Sequence, residues 1–406
     1  MHDDAPPTGA AGHASSRSLV LDAIRVAGTI SRVELTQSTG LTGATISTVV
    51  RRLIEDGLVV ESGRAESTGG KPRVLLQLEP SSRYAVGINL DHAGIHFAVA
   101  NLGGQLVASG SLPGAGSDLP REVLERTWRD VDAALSEAGI EREKVLGIGF
   151  VSPGPIHPPV GMTFVPPFME PWAGFPLRET VAAISGLPVL LENDATASAI
   201  GEYWVGGDEH TTAFGTIFLG TGIGSGVLVN GAVYRGASSN AGEIGHVCVD
   251  VDGPACWCGS RGCVEAVAGP GAVVRAAEDK GLALEGESVA ERFAEVVAAA
   301  KRKEQPALEL LERSAQVVAV AAQTLANVMD LGHIVLTGPV MAIAAEFYAP
   351  AVTAQLQGTF FARLNHQVGV AVSENASRAA AVGGAALVLH TELAPRLPGA
   401  GRPLTR

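Results

Sequence analysis

The stretch from Glu243 to Glu265 constrains this chain more than any other. It opens with Glu243-Ile244-Gly245-His246 and closes with Cys256-Trp257-Cys258-Gly259-Ser260-Arg261-Gly262-Cys263-Val264-Glu265. One imidazole and three thiols form the soft ligand set of a tetrahedral zinc ion. Cys256 and Cys258 are separated by one residue, and such pairs rarely reach disulfide geometry, so a metal is favoured over a cross-link. His246, Cys256, Cys258 and Cys263 are therefore the predicted ligands of a structural Zn2+, with a carboxylate just outside each end of the run. The competing reading is three reduced cysteines in a Gly-rich loop. Only Cys248 lies outside the cluster, which leaves no paired extracellular framework.

A chain of 406 residues is too long for one compact core and implies two or three domains. A formal charge of −13 argues against the whole surface binding nucleic acid. The start, Met1 to Pro7, lacks a charged-then-apolar export pattern, and no apolar run reaches the roughly 18 residues that span a bilayer. The expectation is a cytoplasmic protein with no membrane partner. Residues 1–15 and 394–406, rich in Pro, Gly and small side chains, are expected to be flexible tails.

Charge is unevenly spread. Residues 16–80 hold 8 Lys/Arg and 7 Asp/Glu, so the remainder carries the acidity. Three short helices are predicted in this segment. Leu19, Val20, Ala23 and Ile24 give the first an apolar face. Ser31-Arg32-Val33-Glu34 is a capping box opening the second, and Gly40 ends it. Thr42 caps the third, where Ile46, Val49, Val50 and Leu53 form a stripe for burial. Its other face shows Ala44, Thr45, Ser47, Thr48, Arg51 and Arg52. Small and hydroxylated residues can approach base edges in a major groove, and arginines can hold phosphates. A hairpin wing follows, from Gly57 through Gly69-Gly70-Lys71-Pro72-Arg73 to the strand Val74–Leu78. Helix, turn, helix and basic hairpin in this order spell a winged helix that binds operator DNA, with Arg32, Thr42, Lys71 and Arg73 as further contacts. A small helical bundle that docks a protein partner is the plainer alternative.

From Tyr84 the pattern changes to strand, turn, strand: Ala85–Leu90, Gly94–Ala100, then Gln105–Val107. A helix around 121–138, the strand Val145–Val151 and the strand Leu187–Leu191 follow, the last ending at Glu192-Asn193-Asp194 before a small-residue helix. Thr211–Phe218 then repeats the first strand, with Gly220-Thr221-Gly222-Ile223-Gly224-Ser225-Gly226 as its turn. Two such sets imply a duplicated α/β unit with a cleft between its halves.

Six motifs occur together and in order. They are Ser31-x-x-Glu34 with Gly40-Leu41, Thr68-Gly69-Gly70-Lys71-Pro72, Glu192-Asn193-Asp194-Ala195, the turn at 220–226, Ala241-Gly242-Glu243-Ile244-Gly245-His246, and the cysteine run ending at Glu265. The chain resembles the ROK family of bacterial sugar-responsive repressors and sugar kinases over roughly residues 17–390. That resemblance implies an α/β fold: a winged helix-turn-helix at residues 16–80, then a two-lobed actin-like/hexokinase-like domain at 81–393. It also implies a sugar in the cleft and a homodimer or homotetramer. Asn193 and Asp194 match the family pair that binds sugar hydroxyls, the aspartate being the general base in family kinases. Glu243, His246 and Glu265 match further sugar contacts, with Gly154 a weaker match, and His246 with the three cysteines matches the family zinc site.

The chain departs from the family kinases at the first phosphate loop. Where they carry Asp-x-Gly-Gly-Thr-Lys, this sequence reads Asn89-Leu90-Asp91-His92-Ala93-Gly94. The acid has become an amide, and Asp91 brings a negative side chain to where phosphates would sit. Leu336-Thr337-Gly338-Pro339-Val340 has proline in place of a second glycine. Phosphoryl transfer depends on positioned phosphate and metal. No nucleotide and no catalytic role are therefore expected, and the predicted function is a sugar-responsive repressor of carbohydrate metabolism. An ATP-dependent sugar kinase carrying a DNA-binding domain is the alternative.

Overall fold

The structure is a computed structural model describing residues 16–64, 73–116, 118–157, 161–162, 165, 167–206 and 212–393. The whole Thr68–Pro72 motif, with Lys71, and the expected flexible tails at 1–15 and 394–406 lie outside the described residues. The chain divides into two compact units, one within residues 1–83 and 389–406 and the other spanning 84–388.

The first unit holds α1 (Ser16–Ala27), β1 (Ile30–Ser31), α2 (Arg32–Thr39), α3 (Gly43–Glu55), β2 (Val59–Arg64) and β3 (Val74–Leu78). Its punctuation follows from the caps. The Ser31 hydroxyl accepts from the Glu34 N–H at 3.4 Å, while the Glu34 carboxylate accepts from the Ser31 N–H at 2.8 Å. Gly40, at φ 70°, ends α2 and donates to the Thr36 carbonyl. Thr42 then caps α3. Ile46, Val50 and Leu53 are buried and Val49 is half-buried, so the apolar stripe of α3 faces the core. The sheet order is β1-β3-β2, in which the two-residue β1 pairs Ile30 with Leu76. Two residues carry no periodicity, which is why sequence reading had no strand there.

The second unit repeats one topology. Its first half holds β4 (Tyr84–Leu90), β5 (Gly94–Asn101), β6 (Leu106–Pro113), α4 (Pro120–Glu137), β7 (Val145–Ser152), the short pair β8 (Ile156–His157) and β9 (Gly161–Met162), α5 (Leu177–Ser185), β10 (Val189–Asn193) and α6 (Asp194–Gly206). Its second half holds β11 (Ala213–Leu219), β12 (Ile223–Val229), β13 (Ala232–Val233), α7 (Val264–Ala268), α8 (Pro270–Asp279), α9 (Val289–Lys301), α10 (Gln305–Met329), β14 (His333–Thr337), α11 (Pro339–Thr359), β15 (Gly369–Val372) and α12 (Ala379–Leu393). The sheets run β10-β7-β4-β5-β6 and β13-β12-β11-β14-β15. Each is an antiparallel meander of three strands extended by two parallel ones. The expected duplication is present.

Glycine sets how closely helix meets sheet. A Cβ on Gly149 of β7 would stand 1.9 Å from the Gly384 carbonyl oxygen of α12, and one on Gly87 of β4 would stand 1.7 Å from the Ala381 carbonyl oxygen. Backbone rests on backbone here, and no side-chain rotation can relieve a larger residue. Gly149→Val should therefore lower the unfolding free energy by about 2–3 kcal/mol or more, as overpacking does. Urea denaturation checks this, and an unchanged midpoint contradicts it.

Candidate functional site

A cavity of about 580 Å3 takes its walls from both halves of the second unit, including Asp91, Gly154, Asn193, Asp194, Thr221, Glu243, His246 and Glu265. The parallel strand β10 hands directly to α6 at Asn193-Asp194, a strand end where ligands gather in open α/β sheets. Asn193 does two things at once. Its Oδ1 accepts from the Thr196 N–H at 3.0 Å, capping α6, while its Nδ2 lies on the cavity side near Gly154. A Cβ at Gly154 would stand 2.9 Å from Glu243 Oε1 and 3.0 Å from Asn193 Nδ2, so only glycine lets these two polar groups approach.

The carboxylates are held from both sides of the cleft. Asp194 is buried and accepts from the Ala195 N–H at 2.8 Å. Burial, and then the Asp91 charge, raise its pKa to about 7. Burial and the Glu265 charge likewise raise Glu243 to about 7. Glu265, in the first turn of α7, accepts from the Ile223 N–H at 3.0 Å and from the Trp257 indole N–H at 2.8 Å. Asp91 is buried at the end of β4. It accepts from the Thr221 hydroxyl at 2.5 Å, from the Thr221 N–H at 3.3 Å and from the Ala93 N–H at 3.2 Å. Neighbouring Asn89 is 2% exposed, and its Oδ1 has no hydrogen-bond partner among the described residues.

Beside the cavity, the ligand atoms of His246, Cys256, Cys258 and Cys263 lie within 4.8 Å of one another. Cys258 Sγ and Cys263 Sγ are 3.7 Å apart, and Cys256 Sγ is 3.6 Å from His246 Nδ1. Zn–S bonds of about 2.3 Å and Zn–N bonds of about 2.0–2.1 Å make tetrahedron edges of about 3.8 Å and about 3.6 Å. The donor set and its spacing fit that ion. The sulfurs are too far apart for a disulfide, whose S–S bond is about 2.05 Å. An isolated antiparallel backbone pairing of residues 248 and 263 and the edge-on packing of Trp257 on the His246 ring, centroids 5.1 Å apart, hold the run in place.

Sequence reading gave no role to three supporting groups. Glu192 is 4% exposed and paired with Arg235. Asn240 clasps Ile156, accepting from its N–H at 2.7 Å and donating to its carbonyl at 3.2 Å. Arg275 lines the cavity rim. Glu192 opens the Glu192–Ala195 motif and Asn240 immediately precedes the Ala241–His246 motif, but no spacing records their partners or the place of Arg275.

In the first unit, Ala44, Ser47, Thr48, Arg51 and Arg52 are exposed along α3, and Thr45 is half-buried. Several hydroxyls are already occupied. Thr42 accepts from the Thr45 N–H at 3.2 Å, and Ser47 donates to the Gly43 carbonyl at 2.8 Å. Arg32 pairs with Glu61 of β2 at 3.4 Å, and Arg73 is exposed at the start of the returning strand.

A family model described as ROK family matches residues 85–391. The chain belongs to the ROK family. A winged helix-turn-helix DNA-binding model matches residues 16–60 of this ROK protein. It is 30% identical over 267 residues to the xylose repressor of Bacillus subtilis (strain 168), covering 65% of this chain and 68% of that one. It is also 30% identical over 269 residues to a glucokinase of Halalkalibacterium halodurans, covering 64% and 81%. Among solved structures, a ROK family transcriptional regulator described as a homolog of the E. coli MLC protein superposes with a TM-score of 0.73. That match has 22% identity and covers 93% of this chain and 96% of the other, a likeness of fold.

The raised carboxylates set a pH dependence. An acid whose folded pKa exceeds its unfolded value holds its proton more tightly when folded, so its contribution is whole below about pH 4 and is lost as pH rises towards 7. Between those limits the ligand-free parent should lose stability relative to Asp194→Asn. Urea midpoints measured across the range test this, and parallel curves for the two proteins contradict it.

Proposed function

We propose that this ROK protein is a sugar-responsive transcriptional repressor of carbohydrate metabolism. In this reading the winged helix binds operator DNA, with Arg51 and Arg52 on phosphates and the small residues of α3 near base edges. Asn193, Asp194, Glu243, His246 and Glu265 bind the hydroxyls of a sugar, and a structural Zn2+ on His246, Cys256, Cys258 and Cys263 braces the loop that presents Glu243 and Glu265. The ion contributes a fixed loop and no reaction step. Sugar binding shifts the population between two states of different operator affinity, and it acts only through its unequal affinity for them. A homodimer or homotetramer in the cytoplasm completes the reading. No helix among the described residues is long and apolar enough to cross a membrane.

The observation that carries the choice of regulator over enzyme is Asp91 bonded to Thr221. It sets a carboxylate against the glycine turn, where a kinase needs phosphate and its metal. The xylose repressor likeness supports the same reading. A sugar kinase remains the second reading, favoured by the glucokinase likeness and by Asp194, whose pKa near 7 suits a general base.

Gel shift with the protein's own upstream DNA, across a panel of pentoses, hexoses and amino sugars, tests the proposal beside a coupled ATP-turnover assay. We expect a retarded band whose intensity responds to one sugar, with no sugar-dependent turnover. Robust turnover reverses the choice. Arg51→Ala with Arg52→Ala should weaken operator binding and reduce the log–log salt slope by about one per lost phosphate contact; an unchanged slope removes them from the backbone. Cys258→Ser should lose zinc and the sugar response together, so full zinc by elemental analysis of the variant contradicts the ligand assignment.

A further inference from the structure

In the turn between β11 and β12 the N–H groups of Thr221 and Ile223 face carboxylates of the cleft, and backbone N–H groups placed in this way can hold an anion. Both are already taken by the chain's own acids. The Thr221 N–H and hydroxyl donate to Asp91, and the Ile223 N–H donates to Glu265. Glycine makes both approaches possible. A Cβ at Gly220 would stand 3.3 Å from Asp91 Oδ2, and one at Gly222 would stand 2.4 Å from Glu265 Oε2. Asp91 also belongs to the wall of the cavity that holds Asn193, Asp194 and Glu243. It comes from the first half of the unit, whereas Thr221 comes from the second, so the carboxylate crosses the cleft to reach its donors. Among the described residues, four carboxylates line this cavity against one guanidinium, that of Arg275.

We propose that Asp91 is a specificity-determining residue, a resident anion that occupies the donors of the 220–223 turn and limits the cleft to neutral, unphosphorylated sugars. A phosphoryl group entering the cleft would compete with Asp91 for the same N–H and hydroxyl, and it would meet an uncompensated like charge. A neutral sugar meets neither obstacle, because its hydroxyls can donate to the carboxylates as they stand. The inference rests on the reading of the cleft as a sugar site and narrows the class of sugar it takes.

Calorimetric titration of the full chain tests it, with inorganic phosphate, the neutral sugars of the panel, their terminal phosphate esters and ATP as separate arms. The parent should bind a neutral sugar and give no response to phosphate or phosphate esters. Asp91→Ala frees the Thr221 donors, so inorganic phosphate and the sugar phosphate should bind about tenfold tighter or more, as charge-assisted bonds to an open turn allow. Adding Thr221→Ala to Asp91→Ala should erase that gain. Asp91→Asn keeps the shape without the charge and serves if the alanine variant does not fold. In it the preference for neutral sugar over its phosphate should fall by about tenfold.

Comparable affinity of the parent for a sugar and its phosphate overturns the assignment. So does an Asp91→Ala protein that folds and gains nothing, or an Asp91→Asn protein with the parent's full preference. A gain confined to ATP, without one for inorganic phosphate or sugar phosphate, also overturns it. If the parent binds no sugar in the panel, the sugar-site reading fails by itself, and the inorganic phosphate arm still decides whether Asp91 fills the turn.

Discussion

The cleft depends on holding carboxylates close together in a place that water scarcely reaches. Asp91, Asp194, Glu243 and Glu265 share one cavity, and each buried charge there raises the cost of the next. The chain meets this cost with donors rather than cations. Backbone N–H groups of the glycine turn serve Asp91 and Glu265, the start of α6 serves Asp194, and the Trp257 indole serves Glu265 again. Burial, and then the charge of a neighbouring carboxylate (Asp91 for Asp194, Glu265 for Glu243), raises the proton affinity of Asp194 and Glu243. Such a site can accept hydrogen bonds through its ionised carboxylates and donate through those that hold a proton.

The loop between β13 and α7 brings Glu243 and His246 to that cavity without a core of its own. Only one short helical turn, Ile244–His246, interrupts its irregular course. Such a segment has too little apolar surface to offset its conformational entropy. His246 and the three cysteines cluster with a spacing that, on the proposed reading, lets one Zn2+ tie the ends of the run together. The cluster and the acids lie side by side: His246 and Cys256 line the same cavity as Glu243 and Glu265.

How much was legible in the sequence follows from what each feature leaves in one dimension. The capping box at Ser31-Glu34 and the stop at Gly40 can be read because caps are local, and they appear with the expected hydrogen bonds. The ligand cluster can be read because its spacing is short. The paired sheets can be read because strand and turn recur in the same order. By contrast, the clasp of Asn240 on Ile156 and the pairing of Glu192 with Arg235 join residues 84 and 43 positions apart. No periodicity records such partners. Asp91 lies between these cases: its residue type marks a departure from the kinases, but its partner Thr221, 130 positions later, is a property of the folded chain.

The glycine contacts of α12 have one more consequence. At Gly149 against Gly384, and at Gly383, where a Cβ would stand 1.7 Å from the Ala197 carbonyl oxygen of α6, main chains touch without intervening side chains. Side chains are the usual lubricant of small sliding motions, because they can change rotamer as elements shift. Where they are missing, β7 and α12, and α6 and α12, meet main chain to main chain. A shift of α6 therefore finds no side-chain rotamer at these contacts that could absorb it.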